Sequence, residues 1–180
     1  APLVYEARDW SHGVLVGASV ASETTAAAIG QAGVLRRDPM AMKPFAGYNY
    51  GDYWAHWFSM GSKLKHPPKI YHVNWFRRDA QGKFLWPGFG DNLRVLAWIL
   101  DRCTGKAEAR ETPIGHLPRA TDLNLTGLEI AEAALDELLS VNAEEWRAEA
   151  ADMEKYLEEF AARTPAALRA EVKALQQRLG

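Results

Sequence analysis

The stretch 69–103 reads KIYHVNWFRRDAQGKFLWPGFGDNLRVLAWILDRC and decides the fold class. Its first eight residues are rich in β-branched and aromatic side chains, which is typical of a strand. A turn follows over 77–83, and 84–86 resume an extended segment that Pro87 and Gly88 end, so we expect a hairpin near 69–86. Asp91 or Asn92 then caps a helix predicted over 93–103. With the short strands, this hairpin and the helices toward the C-terminus, we expect an α+β segment.

The remaining elements are short strands before this stretch and helices around it. Apolar runs at 3–7 and 13–19, bounded by Gly and Ser, favour strands. The alanines of 22–34 favour a surface helix or a mobile lid, and the composition leaves both open. An aromatic stripe predicts a core-facing helix over 50–60. We expect mostly loop over 104–126 and helices over 127–139, 143–161 and 166–179.

Composition and charge exclude several classes of protein. The 180 residues are 48% hydrophobic and 24% charged with a net charge of −2, which excludes disorder and gives no reason to expect nucleic-acid binding. No apolar run approaches the roughly 20 residues of a membrane span. The single cysteine, Cys103, excludes an internal disulfide. This cysteine usage and the absence of a secretory signal fit a cytoplasmic protein, and the missing starting Met indicates a chain that was processed, engineered or cut.

Three phenylalanines on turn-like sequence form the candidate binding site. Phe76 and Phe84 flank the turn over 77–83, and Phe89 stands between Gly88 and Gly90. Glycines let backbone approach a ligand closely, and an exposed ring can stack on a planar base. Asn92, at the predicted helix start, can hydrogen-bond the edge of a base. The residues alone leave a nucleobase pocket and ordinary hairpin packing both open.

Other chemistry-bearing residues give weaker signals. The five histidines show no metal-ligand spacing with carboxylates on one helix face, so we predict no metal site. Arg77 and Arg78 belong to a basic stretch with lysines 63, 65 and 69, which we interpret as solvated surface.

Several ordered motifs, taken together, resemble one enzyme family. They are PLVYEAR at 2–8, SETTAAA at 22–28, DPMAM at 38–42, FAGYNYG at 45–51, HVNWFR at 72–77 and GKFLWPGFGDN at 82–92. These segments resemble the C-terminal third of GTP-dependent phosphoenolpyruvate carboxykinase, and the resemblance extends over essentially the whole chain. The family is an α/β P-loop enzyme that converts oxaloacetate and GTP to phosphoenolpyruvate, GDP and CO2 in gluconeogenesis, using Mn2+ and Mg2+.

The resemblance implies roles for individual residues. Phe76 and Phe89 match the positions that sandwich guanine, Phe84 matches the position at its edge, and Asn92 matches the asparagine that reads it. The family's Ω-loop lid matches residues Thr24, Thr25, Ala26, Ala27, Ala28, Ile29, Gly30, Gln31, Ala32, Gly33 and Val34. The implied ligands are GTP or GDP, with oxaloacetate or phosphoenolpyruvate bound by the whole enzyme.

One departure limits what these residues can do. No Gly-x-x-x-x-Gly-Lys-[Ser/Thr] motif occurs here, and the family's metal ligands precede this segment. We therefore expect a guanine-binding segment over 1–126, C-terminal helices over 127–180 packed on it, no catalytic residues and no metal ligands. The chain alone is expected to be inactive and to need the remainder of its polypeptide. The alternative is a free-standing, non-catalytic guanine-nucleotide-binding module.

Overall fold

A computed structural model describes residues 1–23 and 35–180. Helices predominate over short antiparallel strands, which confirms the α+β class. The strands are β1 (Val4–Glu6), β2 (Ala21–Glu23), β3 (Leu35–Arg37), β4 (Tyr71–Val73), β5 (Arg110–Thr112) and β6 (Gly115–Leu117). The α-helices are α1 (Trp10–Ala18), α2 (Tyr50–Lys63), α3 (Asn92–Cys103), α4 (Glu132–Leu138), α5 (Ala143–Glu158) and α6 (Ala166–Leu179).

The described residues form two compact units. Unit 1 comprises Ala1–Arg8 and Lys69–Ala143, and unit 2 comprises Asp9–Pro68 and Glu144–Gly180. Of the C-terminal helices, α4 belongs to unit 1, whereas α5 from Glu144 on and α6 belong to unit 2. The functional division after residue 126 stays a prediction.

Unit 1 is built on an antiparallel sheet with the spatial order β4-β1-β6-β5. The central strand β1 is buried along its whole length, and Val4 pairs with Val73 of β4. Helix α3 packs Val95 and Trp98 into the core that also holds Trp86, while α4 contributes Leu138. Burial of these large apolar side chains is the main force that holds unit 1 together.

A buried carboxylate lies on the central strand of unit 1. Glu6 is nearly inaccessible, and its two oxygens accept from Lys69 Nζ at 2.8 Å and Arg102 Nε at 2.7 Å. Burial acts to raise the pKa of Glu6, but the hydrogen bonds from Lys69 and Arg102 outweigh it and leave the pKa below its ordinary value. Lys69 and Arg102 thereby keep the Glu6 carboxylate ionised and hydrogen-bonded inside the unit.

Unit 2 is a helical cluster with one two-stranded ribbon, β2–β3. Helix α1 begins after Asp9, whose side chain accepts from His12 N at 2.8 Å, and Asn49 caps α2 in the same way. Trp54 of α2 is fully buried, and its ring meets that of Phe160 at 4.7 Å and 72°. Of the aromatic stripe predicted for this helix, Trp54 is buried in the core, and the other three rings, Tyr53, Trp57 and Phe58, are half-buried.

The strand predicted over 13–19 is wrong, because these residues lie in or just after helix α1. A short run of buried apolar residues looks the same in a buried helix as in a buried strand, so its periodicity does not separate the two. The signal for this helix is Asp9, a residue type that is preferred at the N-cap and whose side chain accepts from the backbone N–H of His12 in the first turn. By contrast, the helices predicted near 50–60, 93–103, 127–139, 143–161 and 166–179 are confirmed, with shifted ends.

The hairpin predicted near 69–86 is present only around its turn and does not continue as a ladder along 69–76. Residues 71–73 pair with β1, and the turn over 77–85 retains a single antiparallel bridge between Arg78 and Phe84. The two strands β5 and β6 form a paired hairpin inside the region predicted as mostly loop. Strands of three residues are too short to show an alternating pattern, so their partners are set by the rest of the sheet.

Candidate functional site

Phe89 is held out into solvent by an unusual backbone. It opens the short 3-10 turn Phe89–Asp91 before α3, with φ of +48°, after Gly88 with φ of +78°. A left-handed φ costs a side-chain-bearing residue about 1–2 kcal/mol. The ring is nevertheless 95% exposed, so core packing does not repay that cost. Strain combined with exposure points to a function for this ring rather than to stability.

Phe76 and Phe84 form an exposed pair beside the turn over 77–85. Phe76 is 70% exposed and Phe84 is 47% exposed. Their ring centroids lie 6.1 Å apart at 62°, an edge-on arrangement. The Arg78 guanidinium carbon lies 4.5 Å from the centroid of the Phe84 ring. Phe76 is therefore the more accessible ring of the pair.

Asn92 has a fixed orientation that favours hydrogen-bond donation. Its Oδ1 accepts from Trp86 Nε1 at 2.9 Å, and Trp86 is buried in the core of unit 1. An indole nitrogen only donates, so the amide oxygen must face Trp86 and the amide nitrogen must face away. At the start of α3, Asn92 thus offers a donor to an acceptor on a ligand.

The first turn of α3 is anchored by an arginine that the sequence did not single out. Arg94 Nε donates to Asp91 Oδ1 at 2.8 Å, and its Nη1 donates to the carbonyl oxygens of Asn124 and Thr126 at 2.6 and 3.0 Å. These bonds tie the segment around residue 125 to the turn that carries Phe89. Their only sequence signal was the i,i+3 spacing of Asp91 and Arg94.

The four predicted site residues thus all lie in unit 1, but not all in contact. Phe76 touches Phe84, and Asn92 begins the helix that follows Phe89. Within the ranges 1–23 and 35–180, no ring contact joins Phe89 to the other two phenylalanines. Their joint role as a guanine pocket stays a prediction. The predicted lid, residues 24–34, lies outside the described residues.

A half-buried histidine lies on the strand that leads into this site. His72 of β4 stacks on Tyr5 with ring centroids 5.1 Å apart, and burial lowers its pKa to about 4, helped by the positive amino terminus. Among the described residues, its Nδ1 has no hydrogen-bond partner. The imidazole is therefore neutral near pH 7 and serves packing rather than proton transfer.

Metal and membrane features are the remaining questions about the chain. In the part of the chain that the structure describes, no three His, Cys, Asp or Glu side chains gather as a metal site would need. The described residues therefore do not fit the Mn2+ or Mg2+ that the resemblance implies for the whole enzyme. No helix among them is both long and apolar enough to cross a membrane.

Comparisons with known proteins agree on one family. The model of the phosphoenolpyruvate carboxykinase C-terminal P-loop domain matches residues 1–178. A relative from Arthrobacter sp. (strain FB24), named phosphoenolpyruvate carboxykinase [GTP], is 53% identical over 180 residues, which are 99% of this chain and 30% of that protein. The proteins of the same name from Neocallimastix frontalis and Treponema pallidum (strain Nichols) are 52% and 50% identical, over 99% of this chain and 30% and 29% of their own.

These matches cover nearly the whole of this chain but a minor part of each relative. The chain spans about 30% of the length of the curated relatives that it matches. With the family model matching from the first residue to residue 178, the chain belongs to the GTP-dependent phosphoenolpyruvate carboxykinase family, in its C-terminal P-loop domain.

Proposed function

We propose that these 180 residues supply the guanine-binding surface of a GTP-dependent phosphoenolpyruvate carboxykinase. The complete enzyme would convert oxaloacetate and GTP to phosphoenolpyruvate, GDP and CO2. The observation that carries the proposal is Phe89, whose backbone is strained and whose side chain is 95% exposed, in the same unit as the exposed pair of Phe76 and Phe84. A soluble domain gains nothing in stability from such rings, whereas each base–aromatic stack contributes about 1–3 kcal/mol to binding.

Selection of guanine over adenine would come from Asn92. Stacking accepts any base, because every base has a π-face. Guanine carries an acceptor at O6 where adenine carries the N6 amino donor. The Asn92 amide nitrogen, turned outward by the Trp86 bond, can donate to O6 of guanine but would face the N6 donor of adenine.

Other parts of the reaction are assigned outside these residues. Phosphoryl transfer depends on positioned cations and metal ions, and the chain carries no phosphate-binding Gly-x-x-x-x-Gly-Lys-[Ser/Thr] motif. We propose that Mn2+, Mg2+ and the oxaloacetate or phosphoenolpyruvate ligands are held by other residues of a longer polypeptide in the cytoplasm. The segment 24–34 would be its lid, and the 180 residues alone would be inactive. Similarity to enzymes three times as long makes a free-standing binding module the weaker candidate.

The decisive test compares two apolar truncations in the full-length protein. Phe89→Ala removes the exposed ring before α3, and Leu100→Ala removes a side chain that is 66% exposed on the same helix. We expect Phe89→Ala to raise the KM for GTP about tenfold or more, the value of one lost stack. Leu100→Ala should leave KM within about twofold. Equal KM values in the two variants would contradict the proposal.

A second pair of variants tests how guanine is selected. Asn92→Asp keeps an acceptor for Trp86 Nε1 but replaces the outward donor with a carboxylate oxygen. We expect a KM for GTP about tenfold higher and a smaller preference for GTP over ATP. Asn124→Asp is the matched control, since its Oδ1 only accepts from Thr126 N. Unchanged GTP preference in Asn92→Asp would exclude the assigned role.

A further inference from the structure

Arg78 is fixed across the turn from Phe84. The two residues form an antiparallel bridge, flanked by the bonds Leu85 N to Arg77 O and Asp79 N to Lys83 O, each 2.9 Å. Arg78 and Phe84 are therefore a non-hydrogen-bonded pair, the type in which side chains lie closest and on the same face. The guanidinium carbon lies 4.5 Å from the ring centroid, within cation–π distance.

The hydrogen-bond donors of Arg78 are unused, unlike those of its neighbours in unit 1. Arg77 donates to Ser140, Arg94 donates to Asp91, and Arg102 donates to Glu6. Within the described part of the chain, the Arg78 guanidinium has neither an ion pair nor a hydrogen bond. An exposed arginine thus has its guanidinium carbon over one ring while its five N–H donors stay open.

The open donors lie beside the rings of the proposed guanine site. Phe84 contacts the Phe76 ring as well as the Arg78 guanidinium. A base stacked on Phe76 would present an edge toward Phe84 and so toward Arg78. Guanine has two adjacent acceptors, N7 and O6, on one edge, and arginine is the side chain whose geometry matches both at once.

We propose that Arg78 is a specificity-determining residue that donates to N7 and O6 of the bound guanine. This proposal rests on the proposed function, because it requires the base to lie beside Phe76. Adenine would offer only N7, since its N6 amino group is itself a donor. Arg78 would therefore add to the selection by Asn92, from a different part of the unit.

The test uses nucleotides that differ at single base atoms, with the full-length protein. Dissociation constants of GDP and 7-deaza-GDP are measured by competition titration for the wild type, Arg78→Ala, Arg78→Lys and Lys83→Ala. Lys83 is an exposed cation on the same turn, so its removal controls for loss of charge. Because the Arg78 and Lys83 side chains are both exposed, we expect native circular dichroism spectra from every variant.

The expected pattern is a loss that depends on atom N7. Arg78→Ala should weaken GDP about 5- to 20-fold, the value of a partly exposed bidentate contact, and 7-deaza-GDP less than about 3-fold. Arg78→Lys should give an intermediate loss for GDP because an ammonium group makes one contact. Lys83→Ala should change both affinities less than about twofold.

Two outcomes would overturn the proposal. Arg78→Ala could weaken GDP and 7-deaza-GDP by the same factor, or weaken GDP no more than Lys83→Ala does. Phe89→Ala in the same titration separates this failure from that of the proposed function. If Phe89→Ala weakens GDP while Arg78→Ala does not, only the role of Arg78 is excluded; if neither does, the guanine site itself is excluded.

Discussion

The core of unit 2 and the surface of unit 1 use the same kind of side chain in opposite ways. In unit 2, Trp54 of α2 is fully buried and meets the Phe160 ring at 4.7 Å. In unit 1, Phe76 and Phe89 are 70% and 95% exposed. Aromatic side chains bury more apolar area than most others, so leaving them in water forgoes stability. The buried rings therefore maintain the fold, whereas the exposed rings are available for a ligand.

Backbone context separates the two sets. Tyr50 and Trp54 lie four residues apart on a regular helix, so their rings share one face. Phe89 instead follows Gly88 in a left-handed conformation, and a Cβ added at Gly88 or Gly90 would meet no atom within 4 Å. The open space around these glycines leaves both sides of the Phe89 backbone accessible.

The largest expected effect comes from the buried set. Trp54→Ala should lower the free energy of unfolding by about 3–5 kcal/mol, because it removes a large side chain from a packed core and leaves a cavity. Phe89→Ala should change it by less than about 0.5 kcal/mol. Urea unfolding of the 180-residue chain, followed by circular dichroism, gives both values. Comparable losses in the two variants would remove the distinction between the sets.

Acid should weaken the chain through His72. Burial holds the pKa of His72 in the folded chain at about 4, below the ordinary 6.5. As the pH falls, the unfolded chain therefore takes up a proton on His72 at a higher pH than the folded chain does. This contribution to stability is complete above pH 6.5 and is lost as the pH falls toward 4, by up to about 3 kcal/mol.

The acid effect is measured as the free energy of unfolding at pH 7 and pH 4.5 for the wild type, His72→Phe and His66→Gln. His72→Phe should show a smaller loss on acidification than the wild type. The exposed His66 serves as the control, and His66→Gln should behave as the wild type does. An identical pH dependence in all three proteins would exclude His72 as the buried titrating group.

The smallest effect has the opposite sign. Phe89→Gly should raise the free energy of unfolding by about 0.5–1 kcal/mol, since glycine adopts φ of +48° without the clash of a Cβ. The greater flexibility of the unfolded chain with glycine cancels part of the stabilisation and is included in this value. The same change should weaken GDP binding to the full-length protein. A thermal melt that shows Phe89→Gly to be less stable than the wild type would mean that the ring packs after all.

Sequence reasoning identified most of the helices but few strand pairings. The stripe on α2 and the helix after Asn92 were clear because apolar residues recur with the helical period. Helix α1 was missed because its buried face and its short length concealed the period, and only the Asp9 cap marked it. Pairing of β1 with β4 joins residues nearly 70 positions apart, and no local pattern specifies such a contact.

For the site, sequence and resemblance identified residues but not their geometry. The exposure of Phe76, Phe84 and Phe89 agrees with the expectation from the glycines and the turn. The bond from Trp86 to Asn92 and the contact of Arg78 with Phe84 depend on side-chain packing in three dimensions. The prediction of solvated surface for Arg78 agrees with its exposure, but a basic stretch carries no information about which of its cations lies over a ring.

A tryptophan-fluorescence titration of the 180-residue chain with GDP and with ADP tests most directly whether unit 1 carries the guanine-recognising surface. Trp75 and Trp86 lie beside the predicted site and should report its occupancy. We expect saturable GDP binding with a Kd near or above ~1 mM, and ADP binding at least about fivefold weaker. Equal responses to the two nucleotides, or no response to GDP up to about 10 mM, would contradict it.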